Sequence, residues 1–68
     1  MYWICEWFDR DGRHVLGING KCSLFKRKKH AVAYVEEHGM YPEVMLIYKI
    51  SLDEVKKQFG EYEIYKEY

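Results

Sequence analysis

The residues best suited to metal or covalent chemistry are two cysteines and three histidines, Cys5, Cys22, His14, His30 and His38. None of them forms the Cys-x-x-Cys or His-x-x-x-His spacing from which zinc sites are usually built. The sequence therefore predicts no metal site and no cofactor. Without a secretion signal, both cysteines are expected to be reduced thiols, and Cys5 is expected to act as a small core hydrophobe.

Catalytic chemistry also finds little support in the sequence. A cysteine–histidine nucleophile would need an activating environment, an oxyanion hole and a concave pocket, for which a chain of 68 residues has little room. The glycines are single and suit turns, so no phosphate-binding loop is predicted. The paired carboxylates Glu36/Glu37 and Glu61/Glu63 have the pattern of exposed charges. We expect no catalytic residues and a protein that is not an enzyme.

A basic run is the sharpest local signal, and it consists of Lys26, Arg27, Lys28 and Lys29. It falls in the first turn of a helix predicted at 26–38, whose last turn carries Glu36 and Glu37. Both placements oppose the helix dipole, and each such charge destabilises the helix by about 0.3–1 kcal/mol at low salt. One interpretation is an anion site for phosphate or an acidic protein surface. The other is a solvated turn whose small cost is screened by salt.

Aromatic residues form a second candidate surface. They make up 18% of the chain, more than so small a domain can fully bury. Trp3 and Trp7 lie on one face of a strand predicted at 2–8, because side chains an even number of residues apart share a face. Tyr34 lies in the first predicted helix. Tyrosine and tryptophan are enriched in interface cores, but they are also ordinary half-buried residues. We interpret Trp3, Trp7 and Tyr34 as candidate partner contacts.

Length and charge bound the class of protein. The chain is long enough for a single domain, residues 1–68, and its formal net charge is zero, which excludes a bulk polyelectrolyte role. No apolar run reaches the roughly 18–20 residues that span a bilayer. The first eight residues lack the basic start of a signal peptide and include Glu6. The expected location is the cytoplasm, that of the host cell if a phage encodes the protein, and no membrane partner is expected.

Periodicity and turn signals predict a small α+β domain with a mostly antiparallel sheet of four or five strands, two helices and the order β-β-(β)-α-β-α-β. The predicted strands are 2–8, 13–18, 44–50 and 61–67, with 21–25 as a fifth strand or an extended lead-in; the helices are 26–38, ending at Gly39, and a second from Ser51 to Gly60. Asp11-Gly12 and Asn19-Gly20 predict tight turns, and Ser51 with Glu54 matches a capping box. The apolar strand 44–50 is expected to be central. Helices on one face of the sheet would leave the face of Trp3 and Trp7 partly open.

Several segments resemble small proteins encoded in bacteriophage accessory regions: the opening Tyr-Trp-Ile-x-Glu-Trp-Phe-Asp, the Asp-Gly turn, the helix Lys-Lys-x-Ala-x-x-Tyr-Val-Glu-Glu and the strand Leu-Ile-Tyr-Lys-Ile. Such proteins often bind and inhibit host machinery, including polymerase subunits, nucleases and CRISPR or other immune effectors. The resemblance implies a stoichiometric inhibitor or modulator of a host protein that acts by occlusion. Two alternatives remain open: a small nucleic-acid-binding domain that stacks bases beside the basic turn, and a homodimer or larger homo-oligomer that buries its aromatic face.

Overall fold

The computed structural model describes residues 1–18 and 20–66. The helices are α1 (Lys28–Glu37) and α2 (Leu52–Gln58), and the strands are β1 (Tyr2–Asp9), β2 (Gly12–Val15), β3 (Gly17–Ile18), β4 (Lys21–Leu24), β5 (Leu46–Ile50) and β6 (Tyr62–Ile64). The α+β class and the two helices are confirmed. The order of elements matches the prediction except that 13–18 forms two strands, and residues 21–24 of the segment 21–25 form β4.

The strands form two three-stranded sheets, so the prediction of one sheet of four or five strands is wrong. The first has the order β2-β1-β5 and is antiparallel; the second has the order β3-β4-β6, with β4 and β6 parallel. The predicted strand 13–18 divides at Leu16. The Leu16 N–H donates to Cys5 O at 2.9 Å, whereas Leu16 O accepts from the Ser23 N–H at 2.9 Å. Leu16 is therefore hydrogen-bonded to a strand of each sheet and forms the corner between the two sheets.

Gly17 makes this corner possible. A Cβ atom at Gly17 would collide with the carbonyl of Lys21, so the close approach of β3 to β4 requires a residue without a side chain. The sheets are joined a second time by reciprocal hydrogen bonds between Trp3 and Phe25, of 2.7 and 2.9 Å.

The two helices pack against opposite faces of β1, not on one face as predicted. Cys5 contributes to a buried cluster with Ala31 and Val35 of α1, whereas its neighbour Ile4 contributes to a second cluster with Val55 of α2. The reason is the apolar character of both faces of β1, since each face must be covered. As a result, the face of Trp3 and Trp7 lies on the α1 side and is not open.

The helix α1 begins two residues later than predicted. Lys26 precedes it and Arg27 is its N-cap, so only Lys28 and Lys29 of the basic run lie in the first turn. The predicted stop at Gly39 is confirmed by a positive φ of 73°. The N–H groups of Gly39 and Met40 bond the carbonyls of Glu36 and Val35, which is a Schellman ending.

The predicted strand 44–50 is shorter than expected, and it does not occupy the centre of its sheet. Residues Pro42–Val44 form a 3₁₀ turn that is closed by a hydrogen bond from Met45 N–H to Pro42 O, and β5 then runs along one edge. The central position belongs to β1, because that strand is apolar on both faces.

The second helix starts at the predicted capping residue. The Ser51 Oγ accepts from the Glu54 N–H at 3.3 Å, which is half of the predicted capping box. The Glu54 carboxylate instead accepts from Gln58 Nε2 at 2.8 Å. The strand β6 lies at an edge, as predicted, but it covers only part of 61–67. Residue 67 of that prediction, and Asn19 of the predicted Asn19-Gly20 turn, lie outside the described residues.

Within the described residues, no helix is both long enough and apolar enough to cross a membrane.

Candidate functional site

Trp3 lies between cationic side chains from two other elements. The Lys28 Nζ is 5.7 Å and the Lys49 Nζ 5.6 Å from the centre of the Trp3 ring system, both within cation–π range. Pairing of β1 with β5 places Lys49 directly opposite Trp3. The hydrogen bonds between Trp3 and Phe25 bring the start of α1, three residues after Phe25, to the same point. The two sheet contacts of β1 thus assemble this group.

Lys28, Lys49 and the basic residues that adjoin Lys28 in sequence are exposed, and they lack a carboxylate partner among the described residues. In the described part of the chain, the contacts within 4.0 Å between a basic side chain and a carboxylate are Arg13–Glu6 and His14–Asp9, and neither includes residues 26–29 or Lys49. We call this group the basic–aromatic patch, and its members are Trp3, Lys26, Arg27, Lys28, Lys29 and Lys49. It carries four positive charges at the start of α1 and a fifth, Lys49, in β5, in a chain of zero net charge.

The first turn of α1 also lacks a cap. Arg27 has the extended backbone of an N-cap residue, with φ −133° and ψ 142°, but its side chain makes no capping hydrogen bond. The N–H groups of His30 and Ala31 both turn back to the Arg27 carbonyl. No acceptor for the N–H groups of Lys28 and Lys29 is found among the described residues. Donors of this kind usually bond an oxygen atom of a capping side chain. Here a carboxylate or phosphate oxygen could accept hydrogen bonds from them.

Trp7 shares the strand face of Trp3 but does not join the patch. Four residues along a strand separate the two by about 13 Å. Trp7 stacks on His14 with ring centroids 5.5 Å apart, and His14 Nε2 donates to Asp9 Oδ1 at 2.8 Å. That hydrogen bond, with a second one from the Asp11 backbone, holds the pKa of Asp9 below its ordinary value. The structure therefore separates the two tryptophans that the sequence placed together.

Tyr34 lies in an aromatic cluster on the α1 side. Its ring is 5.4 Å from that of Phe25, 5.2 Å from that of Tyr65 and 4.1 Å from that of His38, on which it stacks. These contacts hold Tyr34 half-buried, with much of its ring area committed to packing within the chain.

Lys49 was not among the predicted contact residues, although it is the single charge in the apolar run 44–50. A polar network on the opposite face of the sheet was not predicted either. Glu6 is only 4% exposed and pairs with Arg13, which donates to Tyr48 Oη at 3.1 Å and lies over the Phe59 ring at 4.6 Å. The hydrogen bond to Glu6 raises the pKa of Arg13. A glutamate in the middle of an aromatic strand was the available signal.

The two cysteines are buried, and burial raises the pKa of each thiol to about 11. Such thiols remain protonated at neutral pH and are poor nucleophiles and poor metal ligands. Across the described residues, no three side chains of histidine, cysteine, aspartate or glutamate are grouped so as to hold a metal ion.

The patch is therefore the place where most of the predicted contact residues meet: Trp3 and the four residues of the basic run, joined by Lys49. Compared with known proteins, the chain matches no family model, no curated protein and no solved structure at a significant level.

Proposed function

We propose that the protein is a non-enzymatic protein-binding module that inhibits or modulates a host protein by occlusion, in the manner of bacteriophage accessory proteins. The basic–aromatic patch is its contact surface, and the partner presents an acidic surface to it. The observation that carries this proposal is the contact of Trp3 with Lys28 and Lys49, beside the further exposed cations Lys26, Arg27 and Lys29. None of these five cations has a carboxylate partner among the described residues.

The second helix shows that the chain elsewhere follows the dipole rule. The first turn of α2 carries Asp53 and Glu54, and its last turn carries Lys56 and Lys57, so both ends complement the dipole. In α1 the first turn contains no acidic residue and the last turn contains no basic residue. The contrast within one chain supports a role for the basic run other than stability of the isolated helix.

A partner carboxylate would satisfy several groups at the start of α1 together. It would accept from the free N–H groups of Lys28 and Lys29 and face several ammonium or guanidinium groups, in charge-assisted hydrogen bonds. Trp3 would supply a rigid apolar anchor beside them, since buried aromatic residues with charged neighbours commonly dominate interface energies. The acidic catalytic site of a nucleic-acid-processing enzyme is a partner surface of this kind.

Capture from bacterial lysates tests this proposal. The immobilised protein should retain one dominant protein, and that protein should elute as salt rises, because contacts between exposed charges are screened. Recovery of no specific protein from several bacterial hosts, or of a protein whose retention is insensitive to salt, would contradict it.

A nucleic-acid-binding domain is the second candidate, and the observation that favours it is an aromatic ring with two lysine ammonium groups close to it. Against base stacking, both ammonium groups lie within 6 Å of the Trp3 ring centre and compete for its surface. Fluorescence anisotropy with a labelled single-stranded oligonucleotide separates the two functions. Binding that weakens steeply with salt is expected for the nucleic-acid function. No binding at low salt would eliminate it.

A further inference from the structure

The outer edge of β5 carries backbone groups that have no partner in the part of the chain that the structure describes. Trp3 bonds Phe25 through both its N–H and its C=O, and Cys5 O accepts from Leu16, so both residues direct their polar groups away from β5. In antiparallel pairing, the residues opposite them must direct theirs away from β1. These residues are Lys49, opposite Trp3, and Ile47, opposite Cys5.

Apart from Lys49 and its short length, this edge lacks the features that usually prevent strand addition. The backbone groups of Ile47 and Lys49 have no hydrogen-bond partner elsewhere in the described residues, and β5 contains no proline and a single charge. Leu46 is 52% exposed, and Val44, immediately before β5, is 72% exposed. An edge with free donors, free acceptors and exposed apolar side chains is a template for another strand.

We propose that β5 pairs with β5 of a second copy of this chain, antiparallel about a two-fold axis at Tyr48. In this register, Ile47 of each copy lies opposite Lys49 of the other, and each such pair exchanges two N–H···O=C hydrogen bonds. Four new hydrogen bonds result, and all of them use groups that have no partner among the described residues of the single chain. The first sheets of the two copies become one six-stranded sheet.

Neighbouring registers that keep the outward groups paired are less favourable. An axis at Lys49 would place two ammonium groups directly opposite each other, which destabilises a strand pair. An axis at Ile47 would place Met45 opposite Lys49, but the Met45 N–H is already bonded to Pro42 O. Only the register centred on Tyr48 avoids both faults.

The side chains of β5 also suit a second copy. The two Tyr48 rings would be neighbours across a non-hydrogen-bonded pair, where cross-strand side chains lie closest. Leu46 would lie beside Ile50 of the other copy on the same face, which covers an exposed apolar side chain. A dimer of this kind would also place two basic–aromatic patches on one face of the continuous sheet, because Trp3 and Lys49 share the α1 side in both copies.

Sedimentation equilibrium of Lys49→Pro and Lys49→Ala tests the pairing. Proline removes the outward N–H and leaves the ladder with β1 intact, because the Lys49 N–H takes no part in that ladder. Both variants lose the ammonium group, so a difference in self-association between them reports the loss of the backbone N–H of residue 49. The wild type and Lys49→Ala should approach twice the monomer mass of 8.3 kDa as concentration rises, whereas Lys49→Pro should stay at 8.3 kDa.

Amide hydrogen exchange in the wild type provides the second measurement, which does not depend on the folding of a variant. Exchange at Ile47 and Lys49 should slow as protein concentration rises, while exchange at exposed amides of α2 should not change. A wild type that remains monomeric at all concentrations would overturn the proposal. So would Lys49→Pro dimerising as strongly as Lys49→Ala, or exchange at both edge amides that is independent of concentration.

Discussion

Arg27 occupies a position at which helices usually carry serine, threonine, aspartate or asparagine. Its side chain has no acceptor atom, so it cannot cap the first turn of α1, and no capping hydrogen bond is formed. The free energy that a cap would supply is missing from the isolated protein. If a partner carboxylate supplies the cap on binding, that free energy contributes to affinity instead.

Replacing Arg27 with serine should therefore stabilise the protein. We expect Arg27→Ser to be more stable than Arg27→Ala by about 0.5–2 kcal/mol in urea unfolding, because the serine hydroxyl can accept from the first turn. The alanine variant removes the same charge without adding an acceptor. Equal stabilities of the two variants would show that the first turn of α1 is not short of a cap.

Glu6 and Arg13 form the other polar group in which single residues decide stability. The Glu6 carboxylate is almost fully buried, and the Arg13 side chain, which is more exposed, is its ion-pair partner. Arg13→Met would leave a buried charge without this partner, and we expect a loss of roughly 1–3 kcal/mol of unfolding free energy in a urea titration. Glu6→Gln combined with Arg13→Met removes the uncompensated charge and should recover part of the loss. A double variant less stable than Arg13→Met would contradict this account.

The buried thiols predict a dependence of stability on alkaline pH. The folded pKa of Cys5 and of Cys22 is raised from 9.0 to about 11, so the unfolded chain releases these protons more readily. Their contribution to stability is fully present below pH 9 and is lost as pH rises towards 11. In urea unfolding across this range, the variant with both cysteines changed to alanine should lose stability less steeply than the wild type. Equal slopes would contradict the prediction.

At the scale of elements, α1 and α2 form a matched pair with opposite charge arrangements. Lys28→Glu with Lys29→Glu puts anions at the start of α1, where the dipole favours them, so stability should be unchanged or higher by up to about 1 kcal/mol. Lys56→Glu with Lys57→Glu makes the same change of charge at the end of α2 and should destabilise the protein by a similar amount. Thermal unfolding of both variants measures this, and a large loss from the α1 variant would mean that its lysines support the fold.

Most element positions were predictable because their signals are local. The Ser51 cap and the Gly39 stop depend on a few neighbouring residues, and both lie where predicted. The division of 13–18 at Leu16 was not predictable, because it depends on contacts with Cys5 and Ser23 in two different strands. The run 44–50 was predicted to be central because it is apolar. Its side chains differ in burial, however: Met45 and Ile50 are buried, whereas Val44 and Leu46 are exposed.

At the scale of the whole molecule, the arrangement of layers decides which residues form a site. Ile4 and Cys5 are neighbouring apolar residues on opposite faces of β1, but their alternation along the chain could not show which helix covers each face. For this reason Trp3 and Trp7 were grouped as one open surface. Lys49 was missed because its position beside Trp3 arises from the register of β1 with β5, which the spacing along the chain does not encode.

The measurement that tests the central claim most directly is quantitative capture from bacterial lysate by three proteins: the wild type, Lys28→Glu/Lys29→Glu and Lys56→Glu/Lys57→Glu. Both variants change the net charge equally and differ only in the helix that carries the change. We predict that the wild type and the α2 variant retain the same dominant protein, provided that circular dichroism shows both folded, and that the α1 variant loses it. Equal retention by the two variants, or greater loss by the α2 variant, would contradict the proposal that the basic–aromatic patch is the contact surface.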